Sequence, residues 1–168
     1  FLLIMIAYVV LFRSYTILGR LVQFSMWLYC ILRGLKVEKF YNHCEIEYLD
    51  LCSGAIETGV KTRYFREVIN KEYKGKVEYI KYPIYLDKYE WIKAKIYLDK
   101  AENTPNEYSN FWFNIVKIFT GKWNGNRNRK KLYCVEHAIN FLNATGRYRL
   151  EQYLNTYEAK KLFDEILK

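Results

Sequence analysis

Apolar and polar positions change period several times along the chain, and each change predicts an element. Residues 1–12 are apolar without a break (FLLIMIAYVVLF), and Arg13 ends the run. Its β-branched and aromatic content predicts a buried strand, placed at residues 7–13. After a turn at Ser14 and Tyr15, residues 16–32 are apolar nearly all round a helix. That pattern predicts a well-buried helix ending at Gly34, which suits the left-handed helix terminus. Residues 40–49 alternate, with Tyr41, His43, Glu45 and Glu47 on one side and Cys44, Ile46 and Tyr48 on the other, as a strand does. Residues 50–54 read as a turn and 55–60 as the returning strand, with Gly59 bulged or closely packed. His43 then lies on one arm of a hairpin and Glu57 on the other.

Residues 62–70 read as a short helix or connection, and 76–82 as a further strand that Pro83 interrupts or marks as an edge. Trp91, Ile92, Ala94, Lys95 and Leu98 fall near helical spacing, predicting a helix over 86–101. A loop at 103–106 leads to an aromatic segment, 108–119, expected to be largely buried. A polar, basic loop at 121–131 precedes Val135, Ala138, Ile139 and Leu142, whose spacing predicts a helix with Cys134 on its first turn. Residues 155–168 read as a terminal helix, with Thr156 as N-cap and Leu162, Phe163 and Ile166 toward the core. No repeat or linker breaks the pattern, so residues 1–168 are expected to form one α+β domain, a central antiparallel sheet flanked by helices.

Composition narrows the classes. With 168 residues, 51% of them hydrophobic, the chain can bury a core, and a disordered chain is excluded. The net charge of +9 is spread along the chain, with one cluster from Arg127 to Lys131. Such a surface suits nucleic acid, anionic lipid or another anionic polymer, or serves solubility. No zinc finger, RNP-type motif or helix-turn-helix pattern accompanies it, so no specific nucleic acid partner is expected. Cys30, Cys44, Cys52 and Cys134 lack metal-like spacing, and neither a metal nor another cofactor is expected. Cys44 and Cys52 fall on the two hairpin arms, Cys30 has no mate, and free thiols in a reducing compartment are the simpler reading. The apolar runs at 1–12 and 21–32 are shorter than the roughly 20 residues of a spanning helix. Membrane association is therefore not favoured, and residues 1–12, where exposed, would instead offer an assembly surface.

The chemistry-bearing candidates are few. A cysteine on a first helical turn meets free N–H groups and the positive end of the dipole, which favour a thiolate. A buried structural thiol is the alternative, since free cysteine is among the most buried residue types. The two histidines are His43, in a strand, and His137, three residues after Cys134. Helical side chains lean along one surface, so His137 is poorly aimed as a base and His43 is preferred.

Three stretches in this order carry a resemblance: YNHCEIEY at 41–48, IETGV at 56–60 and YCVEHAINFL at 133–142. The chain resembles the permuted papain-like (permuted NlpC/P60-type) cysteine hydrolases, in which the histidine strand precedes the cysteine helix. Residues 9–13 and 18–22 fit that family's opening more loosely. The resemblance implies a circularly permuted papain-like fold with Cys134 as nucleophile, His43 as general base and Glu57 orienting the imidazole. Glu45, two residues along the same strand face, is the second candidate orienter. Glu136 matches the family's C-x-E pattern, and Tyr133 stands beside the nucleophile. Val135 replaces the family's serine and Thr58 its small residue after the glutamate. The Cys134 N–H and a neighbouring N–H remain for an oxyanion. The implied activity is hydrolysis of amide or ester bonds through a thioester, with a peptide, lipid or acyl substrate. The competing expectation is an inactive papain-like scaffold that binds or builds, for example in a virion or another large assembly.

Overall fold

A computed structural model describes residues 4–56, 58–105, 120, 132–152 and 154–168. The chain is α+β. Strands β1 (Met5–Ser14), β2 (His43–Tyr48), β3 (Leu51–Ile56), β4 (Gly59–Tyr64) and β5 (Val77–Leu86) form one sheet in the order β4-β3-β2-β1-β5. Every neighbouring pair is antiparallel. The described residues also form helices α1 (Ile17–Leu32), α2 (Phe65–Glu67), α3 (Lys88–Ala101), α4 (Cys134–Ala144) and α5 (Thr156–Ile166), with a π-helical turn, Val68–Glu72, directly after α2.

β1 is flanked by β2 and β5 and is covered on both faces, which explains its unbroken apolar sequence. Val9 and Leu11 join Ile46, Tyr82 and Ile84 beneath α3, α4 and α5 in the main core. Val10 and Phe12 point the other way, against Cys52, Phe65, Val68 and Tyr73. Pro83 lies within β5, which among the described residues is an edge strand paired with β1 alone, where a missing N–H is tolerated.

The hairpin after β2 is tighter than its sequence suggests. The expected turn over 50–54 is corrected to Leu49 and Asp50 alone, both at positive φ (47° and 61°). Two such residues make the primed turn that joins twisted antiparallel strands. Leu49 hides the signal, because a leucine rarely marks a left-handed position. The expected single return strand over 55–60 is two strands, β3 and β4, and β4 continues to Tyr64 where a helix or connection was expected. Gly59 is closely packed, as expected: a Cβ there would lie 2.6 Å from the Thr104 carbonyl oxygen. That carbonyl accepts from the Val60 N–H at 2.8 Å, while the Asn103 N–H donates to Val60 O. The segment leaving α3 is thereby tied to β4, and Leu132 N, donating to Pro105 O at 3.0 Å, brings the entrance of α4 alongside.

Two other expectations are corrected. α1 is not buried all round. Met26, Tyr29 and Cys30 pack with Phe40 and Tyr157, but Ile17, Leu21, Phe24, Trp27, Ile31 and Leu32 are exposed. The N-cap of α5 is Asn155 rather than Thr156. The Asn155 side chain accepts from Glu158 N and the Glu158 side chain accepts from Asn155 N, a reciprocal cap that the shorter Thr156 would have to form one residue late. No helix among the described residues is long and apolar enough to cross a membrane.

Candidate active site

The sheet opens at the place where the candidate residues meet. β2 and β3 pair at three positions only, Ile46 with Ser53, Glu47 with Cys52 and Tyr48 with Leu51. Beyond that point β2 follows β1 as far as His43, and β3 follows β4 as far as Ile56. The first turn of α4 fills the fork. Cys134 lies beside His43 on the β2 side, close enough for its charge to raise the imidazole pKa, and packs among Ala55 and Val60 on the β3–β4 side. One turn on, His137 meets Ser53 at the base of the fork.

Tyr133 is the N-cap residue of α4 and makes no side-chain cap. Its hydroxyl instead reaches across to Leu154 O at 2.6 Å and Gln152 O at 3.1 Å, fixing where the helix starts. Cys134 is therefore the first helical residue, next to N–H groups the helix itself does not use. Glu136 lies half-buried on the same turn.

Around the thiol the charges form a chain. His43 Nε2 donates to Glu45 Oε1 at 2.8 Å. Arg63 Nη2 donates to the same oxygen at 2.7 Å, and Arg63 Nη1 bonds Glu72. The His43 side chain is 14% exposed and that of Glu45 1%, so the imidazole has an open edge and the carboxylate has none. The face of the imidazole stacks on Phe12, with centroids 6.2 Å apart. Burial by itself would lower the His43 pKa. The charge and hydrogen bond of Cys134, then the hydrogen bond and charge of Glu45, outweigh it and raise His43 to about 10. Burial would likewise raise Glu45, but the His43 hydrogen bond and charge, with the Arg63 charge, hold it down at about 2. Glu45 is thus an anion between two cations. Cys44 and Cys52, by contrast, are pushed well up by burial, and all four cysteines are free.

His137 is completely buried. Its Nε2 shares a hydrogen bond with Ser53 Oγ at 3.0 Å, and its Nδ1 with Tyr97 OH at 2.9 Å. The Tyr97 hydroxyl also reaches His137 O at 3.2 Å. One proton arrangement satisfies all three: Tyr97 donates to the carbonyl, Nδ1–H donates to Tyr97, and Ser53 donates to Nε2. The ring is then neutral, and burial lowers its pKa to about 4. This histidine ties α3, α4 and β3 together.

Of the residues singled out in the sequence, Cys134, His43 and Glu45 come together. Glu57 and the basic loop at 121–131 lie outside the described residues, as does the aromatic segment at 108–119. Arg63 carries no motif. Its only signal is that residue 63 sits opposite Cys52, two rungs from the Glu45 position across two strand pairings, which needs the register to be known. Among the described residues no cluster of His, Cys, Asp and Glu could hold a metal ion. Compared with known proteins, the chain matches neither a family model nor a curated sequence.

Proposed function

We propose that the protein is a cysteine hydrolase of amide or ester bonds with a permuted papain-like arrangement, in which Cys134 is the nucleophile, His43 the general acid–base and Glu45 the orienting carboxylate. The observation that carries this reading is the arrangement at the first turn of α4, with the Cys134 thiol beside His43 and the His43 Nε2 donating to Glu45 at 2.8 Å. Glu45 takes the role that the resemblance assigned to Glu57.

The chemistry follows from that arrangement. With Nε2 donating to Glu45, Nδ1 is the nitrogen left to take the thiol proton. The thiolate, supported by the imidazolium and the helix N-terminus, attacks the substrate carbonyl carbon. The carbonyl oxygen becomes an oxyanion, for which the Cys134 N–H and a neighbouring N–H are the available donors. Collapse of this intermediate breaks the bond to the leaving amine or alcohol, which takes the proton from His43 and leaves a thioester on Cys134. Neutral His43 then removes a proton from water, whose oxygen attacks the thioester. The carboxylic acid departs and the thiol is restored.

An active-site-directed electrophile tests the reading, for example an acyloxymethyl ketone or an activated acyl ester read by intact mass. Wild type should acquire one acyl or alkyl group on Cys134, and Cys134→Ala none, with His43→Ala reduced by two orders of magnitude or more. Equal labelling of wild type and Cys134→Ala would sink it, and a chain that no such probe labels supports the scaffold reading instead.

A further inference from the structure

We propose that Arg63 is a positioning residue for the Cys134–His43 pair, acting through Glu45: its guanidinium holds the carboxylate in the one direction that meets His43 and keeps it ionised. The inference rests on the hydrolase reading and extends it to a residue no motif marks.

The geometry is specific. Arg63 and His43 donate to the same oxygen of Glu45, at 2.7 and 2.8 Å. A carboxylate shared in this way cannot turn toward one partner without stretching the bond to the other. Arg63 is itself held, since its second nitrogen bonds Glu72 in the π-helical turn. A planar fork with two anchored ends fixes direction as well as charge, which an ammonium does not. The third constraint is Gly54 on β3, where a Cβ would lie 2.4 Å from the Glu45 carboxyl carbon. Glu45 thus has a floor at Gly54 and a clamp at Arg63 on the oxygen that meets His43.

The other titratable groups around Glu45 do not replace Arg63. Cys52 on β3 is a neutral thiol beneath the carboxylate. Tyr73, beyond the π-helical turn, is held protonated by burial and by the Glu45 and Glu72 charges. Glu47, next on the same face of β2, is paired with Lys81 of β5 at 2.7 Å. His137 is neutral in its own network, and Cys134 lies beside His43. Arg63 is the permanent cation in direct contact with Glu45 among the described residues.

Two readouts test the proposal on wild type, Arg63→Gln and Arg63→Lys, each checked for folding by near-UV circular dichroism. The first is the carboxyl 13C titration of Glu45, assigned by Glu45→Gln. The second is the pH dependence of Cys134 alkylation by iodoacetamide, read on the Cys134 peptide. In Arg63→Gln the Glu45 midpoint should rise by one pH unit or more, and a new inflection should appear in the alkylation profile at that same pH. Arg63→Lys should return both toward wild type. A residue that merely braced β4 would change stability without creating a titration step. The proposal is overturned by an unmoved midpoint, by a moved midpoint without the inflection, or by a Lys variant identical to Gln. Should Arg63→Gln not fold, Glu45→Gln is compared with Glu45→Gln/Arg63→Gln, in which no lone buried charge remains. Their alkylation profiles should coincide, and a difference means Arg63 does not act through Glu45. A wild type that the active-site electrophile leaves unlabelled at Cys134 instead sinks the hydrolase reading. A labelled wild type whose alkylation profile Arg63→Gln leaves unchanged sinks the Arg63 proposal alone.

Discussion

The carboxyl carbon of Glu45 occupies the space into which a side chain at Gly54 would grow, 2.4 Å from the position of a Cβ there. β2 and β3 have stopped pairing by this point, and the Glu45 side chain lies across the start of the opening. Gly54 is therefore set by packing around Glu45 and not by its own backbone, for its φ is not among the positive ones.

Gly54→Ala should consequently push Glu45 off His43. We expect a loss of about 1–3 kcal/mol of stability by urea unfolding, as overpacked sites show, together with at least tenfold slower labelling of Cys134. A variant as stable and as reactive as wild type would mean that Glu45 has another place to go.

The raised pKa of His43 sets a pH dependence with a definite sign. A histidine whose folded pKa stands near 10, against about 6.5 unfolded, contributes stability that is complete below pH 6.5 and fades as pH rises toward 10. Cys134 is the strongest cause of the rise, so Cys134→Ala should flatten the alkaline decline. Thermal unfolding midpoints of the two proteins between pH 6 and 10 check this; parallel curves would show that the thiol and imidazole are not coupled.

His137 works in the opposite direction. Its folded pKa is lowered to about 4, so its contribution is complete above pH 6.5 and is lost as pH falls through that window toward 4. The full effect is at most about 3 kcal/mol. His137→Gln should remove the slope between pH 6.5 and 4, at a cost of roughly 1–3 kcal/mol for disturbing the bonds to Ser53 and Tyr97. It should leave Cys134 labelling within a few-fold of wild type, whereas His43→Ala lowers it by two orders of magnitude or more. Comparable losses in both variants would make His137 part of the reacting pair.

Asn155 offers a purely structural check. Both halves of its reciprocal cap with Glu158 are formed. Asn155→Ala should cost about 1 kcal/mol in chemical denaturation, and Thr156→Ser almost nothing. The reverse ranking would place the cap at Thr156.

Much of the fold is legible locally because burial leaves a periodic trace. Residues 7–13 read as a buried strand since β1 is covered on both faces, and α3, α4 and α5 read as helices since each turns one stripe to the core. The Leu49–Asp50 turn was hidden because its backbone breaks the usual preference of leucine. α1 departs from its sequence pattern for a different reason. Its sequence is apolar nearly all round, and which half finds partners depends on where Phe40, just after the helix, and Tyr157, from α5, arrive.

For the candidate site, residue types and order were enough to single out Cys134 on a helical first turn, His43 in a strand, and Glu45 on the same strand face. They placed Glu57 first and Glu45 second as the orienting carboxylate, and Glu57 lies outside the described residues. Only the tertiary structure decided that β2 and β3 part after Ile46 and Ser53, that α4 enters the gap, and that Arg63 from β4 meets the oxygen that holds His43. The physical reason is the same in each case. Periodicity records which side of an element avoids water, whereas contacts between β2, β4 and α4 depend on register and chain path, which no local stretch of sequence encodes.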